Sequence, residues 1–164
     1  MIWIFHGPIA SGKSTQAARM AELGALIAND DAIVTMVHGG DYGLYSSQLK
    51  PLYKGIRNSM IQYAAATNRD IVIDSTGLTN TTRRGILSMG KSLDMLVGLM
   101  LFRNGYVAGE ADGIRRYEAD PRGYTRDYWI NVAESHKLNH DPVTADELKL
   151  YDDVQHVGWY DSRL

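Results

Sequence analysis

Ile2-Trp3-Ile4-Phe5-His6-Gly7-Pro8-Ile9-Ala10-Ser11-Gly12-Lys13-Ser14-Thr15 is the stretch whose reading decides the fold. Its apolar start predicts a buried strand over residues 2–5. Gly7 to Thr15 then satisfies GxxxxGK[ST], the phosphate-loop pattern, at every specified position. Gly7 and Gly12 let the backbone curl, so that amide hydrogens around Ser11 point inward at a polyphosphate. Lys13 supplies a point charge to the outer phosphates, Ser14 a hydroxyl to Mg²⁺, and Thr15 a bond to the inner phosphate. A helix starting here adds the positive end of its dipole.

Outward from the loop, Ala17, Ala18, Met20 and Ala21 predict a helix over residues 14–23, stopped by Gly24. Residues 25–28 form a second short apolar run, a buried strand, ending in Asn29-Asp30-Asp31. Two readings fit these carboxylates. Asp and Asn favour helix starts, so they can be a turn with a cap. In an open parallel sheet, however, the carboxyl ends of the strands face the ligand crevice. A carboxylate there can take a proton from an attacking hydroxyl. Asp30 is assigned that role, and Asp31 the cap at the border of the acceptor site.

The segment from His38 to Tyr45 is glycine-rich and reads either as a plain long loop or, since it follows Asp30, as the acceptor side, with Tyr42 and Tyr45 as stacking surfaces for a base. A helix is predicted from about residue 47 to 67, with Leu49, Leu52, Tyr53, Ile56, Met60 and Tyr63 as its core stripe and Pro51 in its first turn. Residues 70–74 predict a third strand ending at Asp74, where a carboxylate usually holds a metal-bound water. Ser75-Thr76-Gly77 turns the chain, with Thr76 toward the acceptor. Thr79 or Asn80 caps a helix to about residue 91. Arg83 and Arg84, early in it, oppose the dipole and so face either an anion or partner, or plain solvent. Residues 94–102 are almost wholly apolar and predict a central fourth strand.

Residues 105–124 differ in character, with few large aliphatics and Arg115, Arg116 and Arg122. Helical up to Arg116 and loosening through Glu118-Ala119-Asp120-Pro121, the segment reads as a closing lid or as a solubilising surface loop. As a lid, its arginines stabilise a transferred phosphoryl group and stack on an adenine. Thr125 caps a further helix with the apolar stripe Trp129, Val132, Ala133 and His136. His136 and His140 stand four apart, but no third ligand joins them and no HExxH glutamate is present, so they read as surface histidines. Residues 153–157 predict an edge strand, with Trp159 and Tyr160 packing on the body.

Length and composition bound the answer. The 164 residues suit one domain. Without cysteine there is neither a disulfide framework nor a thiolate zinc site. No apolar run is long enough to span a bilayer. The phosphate loop arrives without a basic leader and cleavable segment, which predicts a cytoplasmic protein. Net charge of −2 and a pI near 6.2 weigh against coating duplex nucleic acid, although a local basic patch suffices to grip a strand end.

With the motifs placed, the chain resembles the phage-type polynucleotide kinase domain and its relatives among small P-loop kinases. The resemblance runs through Gly7 to Thr15, Asn29-Asp30-Asp31, Ile71-Val72-Ile73-Asp74-Ser75-Thr76 with Arg83-Arg84, and the segment ending Arg122-Gly123. It implies a three-layer α/β P-loop fold with a five-stranded parallel sheet of order 2-3-1-4-5, ATP and Mg²⁺ as cofactors, and phosphoryl transfer to a hydroxyl of DNA or another nucleic acid, or of a nucleotide. It implies Asp30 as general base, Lys13 and Ser14 in the phosphate loop, Arg122 on the transferred phosphate and Arg116 near the adenine. Asp74 either holds metal or serves the acceptor. One departure stands out. The family has an arginine three residues after the base, touching an acceptor phosphate, and here that residue is Ile33. A hydroxymethylated base in DNA, or a small molecule as in gluconate and shikimate kinases, is therefore the competing acceptor. A nucleotide-binding regulatory ATPase is the third reading, but it needs neither base nor lid. An AAA-type motor is disfavoured by Ser75, where a water-activating glutamate would follow Asp74. Neither a membrane nor a partner protein is indicated.

Overall fold

A strand that is apolar on both faces needs cover on both, and β1 (Ile2–His6) receives it, with all five residues buried. The computed structural model describes residues 1–102 and 109–158. After β1 come α1 (Lys13–Glu22), β2 (Leu26–Asn29), α2 (Asp30–Val37) and α3 (Lys50–Ala66). Then follow β3 (Ile71–Asp74), α4 (Asn80–Ser92), β4 (Val97–Phe102), α5 (Glu110–Ala119), α6 (Arg126–Asn139), α7 (Ala145–Leu148) and β5 (Asp153–Val157). The strands form one parallel sheet in the order β2-β3-β1-β4-β5, as the resemblance implies. Alternation along β1 divides the core. Ile2 and Ile4 pack with Ile61 and Ala64 of α3 and with Ile86 and Leu87 of α4. Trp3 and Phe5 pack on the opposite face with Ala17 of α1. Among the described residues no helix is long and apolar enough to cross a membrane.

Several expectations change. The buried stripe of α3 is Tyr53, Arg57, Ile61 and Ala64. Leu52 and Tyr63, expected in the core, are 48% and 58% exposed. They share instead a shallow apolar groove with Leu26, Ile56 and Met60. The fourth strand begins at Val97 because Asp94 turns the chain with φ of 55°. Helix α5 continues past Arg116 to Ala119. Helix α7 has no counterpart in the sequence reading. Trp159, Tyr160 and the 105–108 part of the lid lie outside the described residues.

The largest correction is Arg83. It is fully buried, so it neither meets an acceptor nor faces solvent. Its Nε and Nη2 donate to the two carboxylate oxygens of Glu147 on α7 at 2.7 and 2.8 Å. Its Nη1 donates to the Gly77 carbonyl at 2.8 Å. Asn80 and Tyr151 donate to the same carboxylate. Burial alone would push the Glu147 carboxyl up, but the bonds and charge of Arg83 hold it below the usual range. Arg84, one residue on, is exposed. Removing one partner of such a buried pair leaves an uncompensated charge. Glu147→Ala is therefore expected to cost about 3–5 kcal/mol of stability by chemical denaturation. A loss below about 1 kcal/mol, the size of an exposed pair, would mean that Arg83 finds water instead.

Candidate active site

Parallel pairing brings the carboxyl ends of β1, β2 and β3 to one edge, and the loops leaving them build the site. Gly12 opens α1 in the left-handed region with φ of 90°, which suits glycine and lets the loop hand over to the helix. Gly77, with φ of 58°, lies so close to the Phe5 carbonyl that a Cβ would collide with backbone. That contact seats the turn after β3 beside the phosphate loop, where Gly7 donates to the Thr76 carbonyl at 3.2 Å. Lys13 is buried, its ammonium donating to the carbonyls of Gly7 at 3.0 Å and of Pro8, and to Ser11 Oγ at 3.3 Å. Burial pulls its pKa down to about 8, with Asp74 and Asp31 opposing the shift.

The register pairs Asn29 with Asp74. Asn29 Nδ2 donates to Asp74 Oδ2 at 2.6 Å, and its Oδ1 accepts from the Ala32 amide at 2.7 Å. Asn29 is thus the cap of α2, and Asp31, read as the cap, lies in the first turn. Asp31 instead accepts from Arg122 Nη1 at 2.8 Å. The same arginine donates through Nε to Asp120 at 3.0 Å and lies 5.8 Å from the Tyr42 ring centre. Its backbone is left-handed, φ 51°, an uncommon state for a residue with a side chain. Arg116 covers the Trp129 ring at 4.8 Å and pairs with Asp120 at 3.2 Å. Trp129 Nε1 in turn donates to the Pro121 carbonyl at 3.0 Å, tying the loop between α5 and α6 to the body.

Three clefts meet at this edge. One of about 560 Å³ runs between the phosphate loop and α5, with Gly12, Ser14, Thr15 and Arg116 on its walls. A central cleft of about 310 Å³ takes in Lys13, Ser14, Asp30, Asp74, Arg122 and His136. A third, of about 330 Å³, contains Asp30, Tyr42, Tyr45, Thr76 and three cations of α3, Lys50, Lys54 and Arg57. Asp30, Asp31, Tyr42 and Thr76 border both the central and the third cleft. The residues expected on the donor and acceptor sides therefore come together, apart from Arg83 and Arg84.

Two residues at this edge were missed. Arg57 is buried and reaches both oxygens of Asp30, at 3.2 and 3.3 Å. Burial pushes the Asp30 carboxyl up, and the Arg57 charge and hydrogen bonds push back. Ile33 packs with Val34 and Tyr53, so the cation near the carboxylate comes from α3 and not from α2. His136 is no ordinary surface histidine, since it borders the central cleft, where burial and then Lys13 lower its pKa. A charged or polar residue in register with a buried helical stripe was the available signal for both.

Ser14 and Asp74 fit a hard cation. They offer a hydroxyl and a carboxylate in one cleft, and Asn29 engages only one Asp74 oxygen. Among the described residues no cluster of three His, Cys, Asp or Glu side chains could hold a metal. Such a sparse donor set suits Mg²⁺, which keeps waters and shares substrate phosphates.

A family model described as AAA domain matches residues 2–104. No curated protein matches the sequence. Solved structures share the fold at low identity. A Chloroflexus aurantiacus protein, itself a kinase only by assignment, is 13% identical with a TM-score of 0.68, over 95% of this chain and 83% of that one. A fungal RNA kinase is 14% identical with a TM-score of 0.62, over 99% of this chain and 76% of that one. A Sinorhizobium meliloti gluconokinase is 16% identical with a TM-score of 0.53, over 96% of this chain and 83% of that one.

Proposed function

The chain belongs to the AAA domain family, and from that premise we propose that it is an ATP-dependent kinase of the P-loop type acting on a hydroxyl of a nucleic acid or nucleotide. The observation that carries the reading is Asp30, a half-exposed carboxylate paired with Arg57 on the wall shared by the Lys13 cleft and a tyrosine-lined cleft. A nucleotide switch has no use for a base there. A motor would need a glutamate after Asp74, and the residue is Ser75.

In this mechanism the phosphate-loop amides and Lys13 hold the ATP phosphates, and Ser14 and Asp74 are the residues that would hold Mg²⁺. Bound there, Mg²⁺ neutralises charge on the phosphates. The acceptor hydroxyl enters from the tyrosine side. As its oxygen bonds to the γ-phosphorus and the bond to ADP breaks, its proton passes to Asp30. Partial burial pushes the Asp30 carboxyl above the usual carboxylate range, toward a better base, and the charge and hydrogen bonds of Arg57 oppose that shift. Arg122 leaves Asp31 to neutralise the equatorial oxygens, while Arg116 lies toward the nucleotide. A single domain over residues 1–164, with residues 105–124 as its lid, completes the proposal. A small-molecule acceptor is the second reading, favoured by the apolar packing of Ile33.

Transfer of labelled γ-phosphate to 5′-hydroxyl oligonucleotides, hydroxymethylated DNA, nucleosides and sugar acids tests it. Label on one of the first two is the expected result. Label on the sugar acids alone would establish the second reading, and ATP turnover that no acceptor stimulates would overturn both.

A further inference from the structure

The backbone ladder between β1 and β3 stops at the Ile4–Ile73 pair, while β1 stays paired with β4 as far as His6. Beyond Ile73 the ladder gives way to the crevice, with the phosphate loop on one side and the 75–77 turn on the other. Three contacts of another kind close its floor. The Gly7 amide donates to the Thr76 carbonyl at 3.2 Å, and Gly77 lies against the Phe5 carbonyl. The third is made by a side chain. His6, buried at the end of β1, reaches the Gly77 carbonyl through Nδ1 at 3.0 Å.

A carbonyl only accepts, so Nδ1 carries the proton. Burial pulls the pKa of His6 down to about 4, against the Gly77 bond, and the ring is neutral with that one proton. The Gly77 carbonyl has a second donor in Arg83 Nη1 at 2.8 Å. Arg83 ties the turn to α4 and, through Glu147, to α7. His6 ties it to the strand that carries the phosphate loop. What His6 fixes is therefore a spacing. The next residue, Gly7, takes the Lys13 ammonium on its carbonyl at 3.0 Å. Ser75 and Thr76, just before Gly77, border both the Lys13 cleft and the tyrosine-lined cleft.

We propose that His6 is a positioning residue for phosphoryl transfer, holding the Ser75–Thr76 wall at working distance from the phosphate loop through the Gly77 carbonyl. The inference rests on the kinase reading and adds to it a tie between the donor and acceptor sides. Transfer needs reacting atoms about 3–3.5 Å apart, and a misplacement of about 1 Å costs about 10²-fold in rate. ATP binding alone is indifferent to that spacing, because the loop amides and Lys13 hold the phosphates wherever the turn stands.

Two variants of the full chain separate positioning from packing. His6→Phe keeps a ring and loses the donor. His6→Asn gives up the ring but keeps a donor, Nδ2, one bond from Cγ as Nδ1 is in histidine. If His6 only fills space, activity follows volume and His6→Phe outperforms His6→Asn. As a positioning residue it behaves the other way. His6→Phe is expected to lower kcat by about 10- to 100-fold with the KM for ATP within about twofold of wild type. His6→Asn is expected to recover most of that loss, although it is the less stable protein by thermal melting.

Amide hydrogen exchange over residues 75–78 adds a readout that needs no turnover. A non-hydrolysable ATP analogue is expected to slow it in the wild-type chain and in His6→Asn, and not in His6→Phe. A kcat for His6→Phe at or above that of His6→Asn, an ATP KM that rises as much as kcat falls, or equal slowing in all three proteins would each overturn the assignment. Slowing that His6→Phe abolishes, in a chain that phosphorylates no acceptor, would sink the kinase reading and leave the tie standing.

Discussion

Arg122→Ala is expected to lower kcat by about 10³-fold or more while leaving the KM for ATP nearly unchanged, by analogy with arginine fingers. Before transfer the guanidinium is held by Asp31 and Asp120, so its ground-state partners are protein carboxylates and not ATP. Its contribution then arises only when charge spreads over the γ-phosphoryl oxygens. Arg122→Lys is expected to restore little, because a single ammonium cannot keep the planar fork that bridges two oxygens. Steady-state kinetics against varied ATP checks both variants. Intact kcat with a raised KM would reduce Arg122 to a binding group and move the catalytic role to Arg116.

Asp30→Asn is expected to reduce transfer by about 10²–10⁴-fold, since the amide keeps the shape but accepts no proton. ATP affinity should hold, because the phosphate loop is untouched. The neighbouring Asp31→Asn is chemically the same change with a different expectation. Asp31 neither caps α2 nor touches Arg57; it anchors Arg122 from a partly exposed position. An exposed pair of this kind is worth about 0–1 kcal/mol, so its loss should alter activity only mildly. Equal loss from both substitutions would mean a shared role, and no loss from Asp30→Asn would end the general-base assignment. The pH profile adds a separate check. Activity needs ionised Asp30 and falls as pH drops through its raised pKa. Removing the opposing charge with Arg57→Gln should move that acid limb to higher pH.

The phosphate loop was legible because its chemistry lies within nine consecutive residues, where the order of residues is the geometry. Asp30 and Asp74 were legible for a related reason, since each ends a short apolar run and strand ends of a parallel sheet open on one crevice. Arg57 and Arg83 were not. Their partners stand 27 and 64 residues away in sequence, so even the register of Arg57 with the buried stripe of α3 does not name the carboxylate it meets. The face of α3 was misjudged because apolar residues surround much of the helix. Leu52 and Tyr63 advertised a core stripe, whereas packing chose Tyr53, Ile61 and Ala64. Asp31 was read as a cap by propensity, but the sheet register had already put Asn29 in place for it.

The bond between Arg83 and Glu147 bears on what counts as a separable piece of this molecule. The stretch that family membership makes recognisable ends at residue 104 and contains Arg83, Gly77 and the phosphate loop. The carboxylate that neutralises Arg83 lies outside it, as does β5, which pairs along the length of β4. A fragment cut at that boundary would carry an unpaired cation in its interior and a bare hydrophobic strand along its edge. The recognisable part is an incomplete solvent shield, so its ancestry and its capacity to fold have different borders. Any transplant of the nucleotide-binding half into another chain would have to bring a substitute for Glu147 with it.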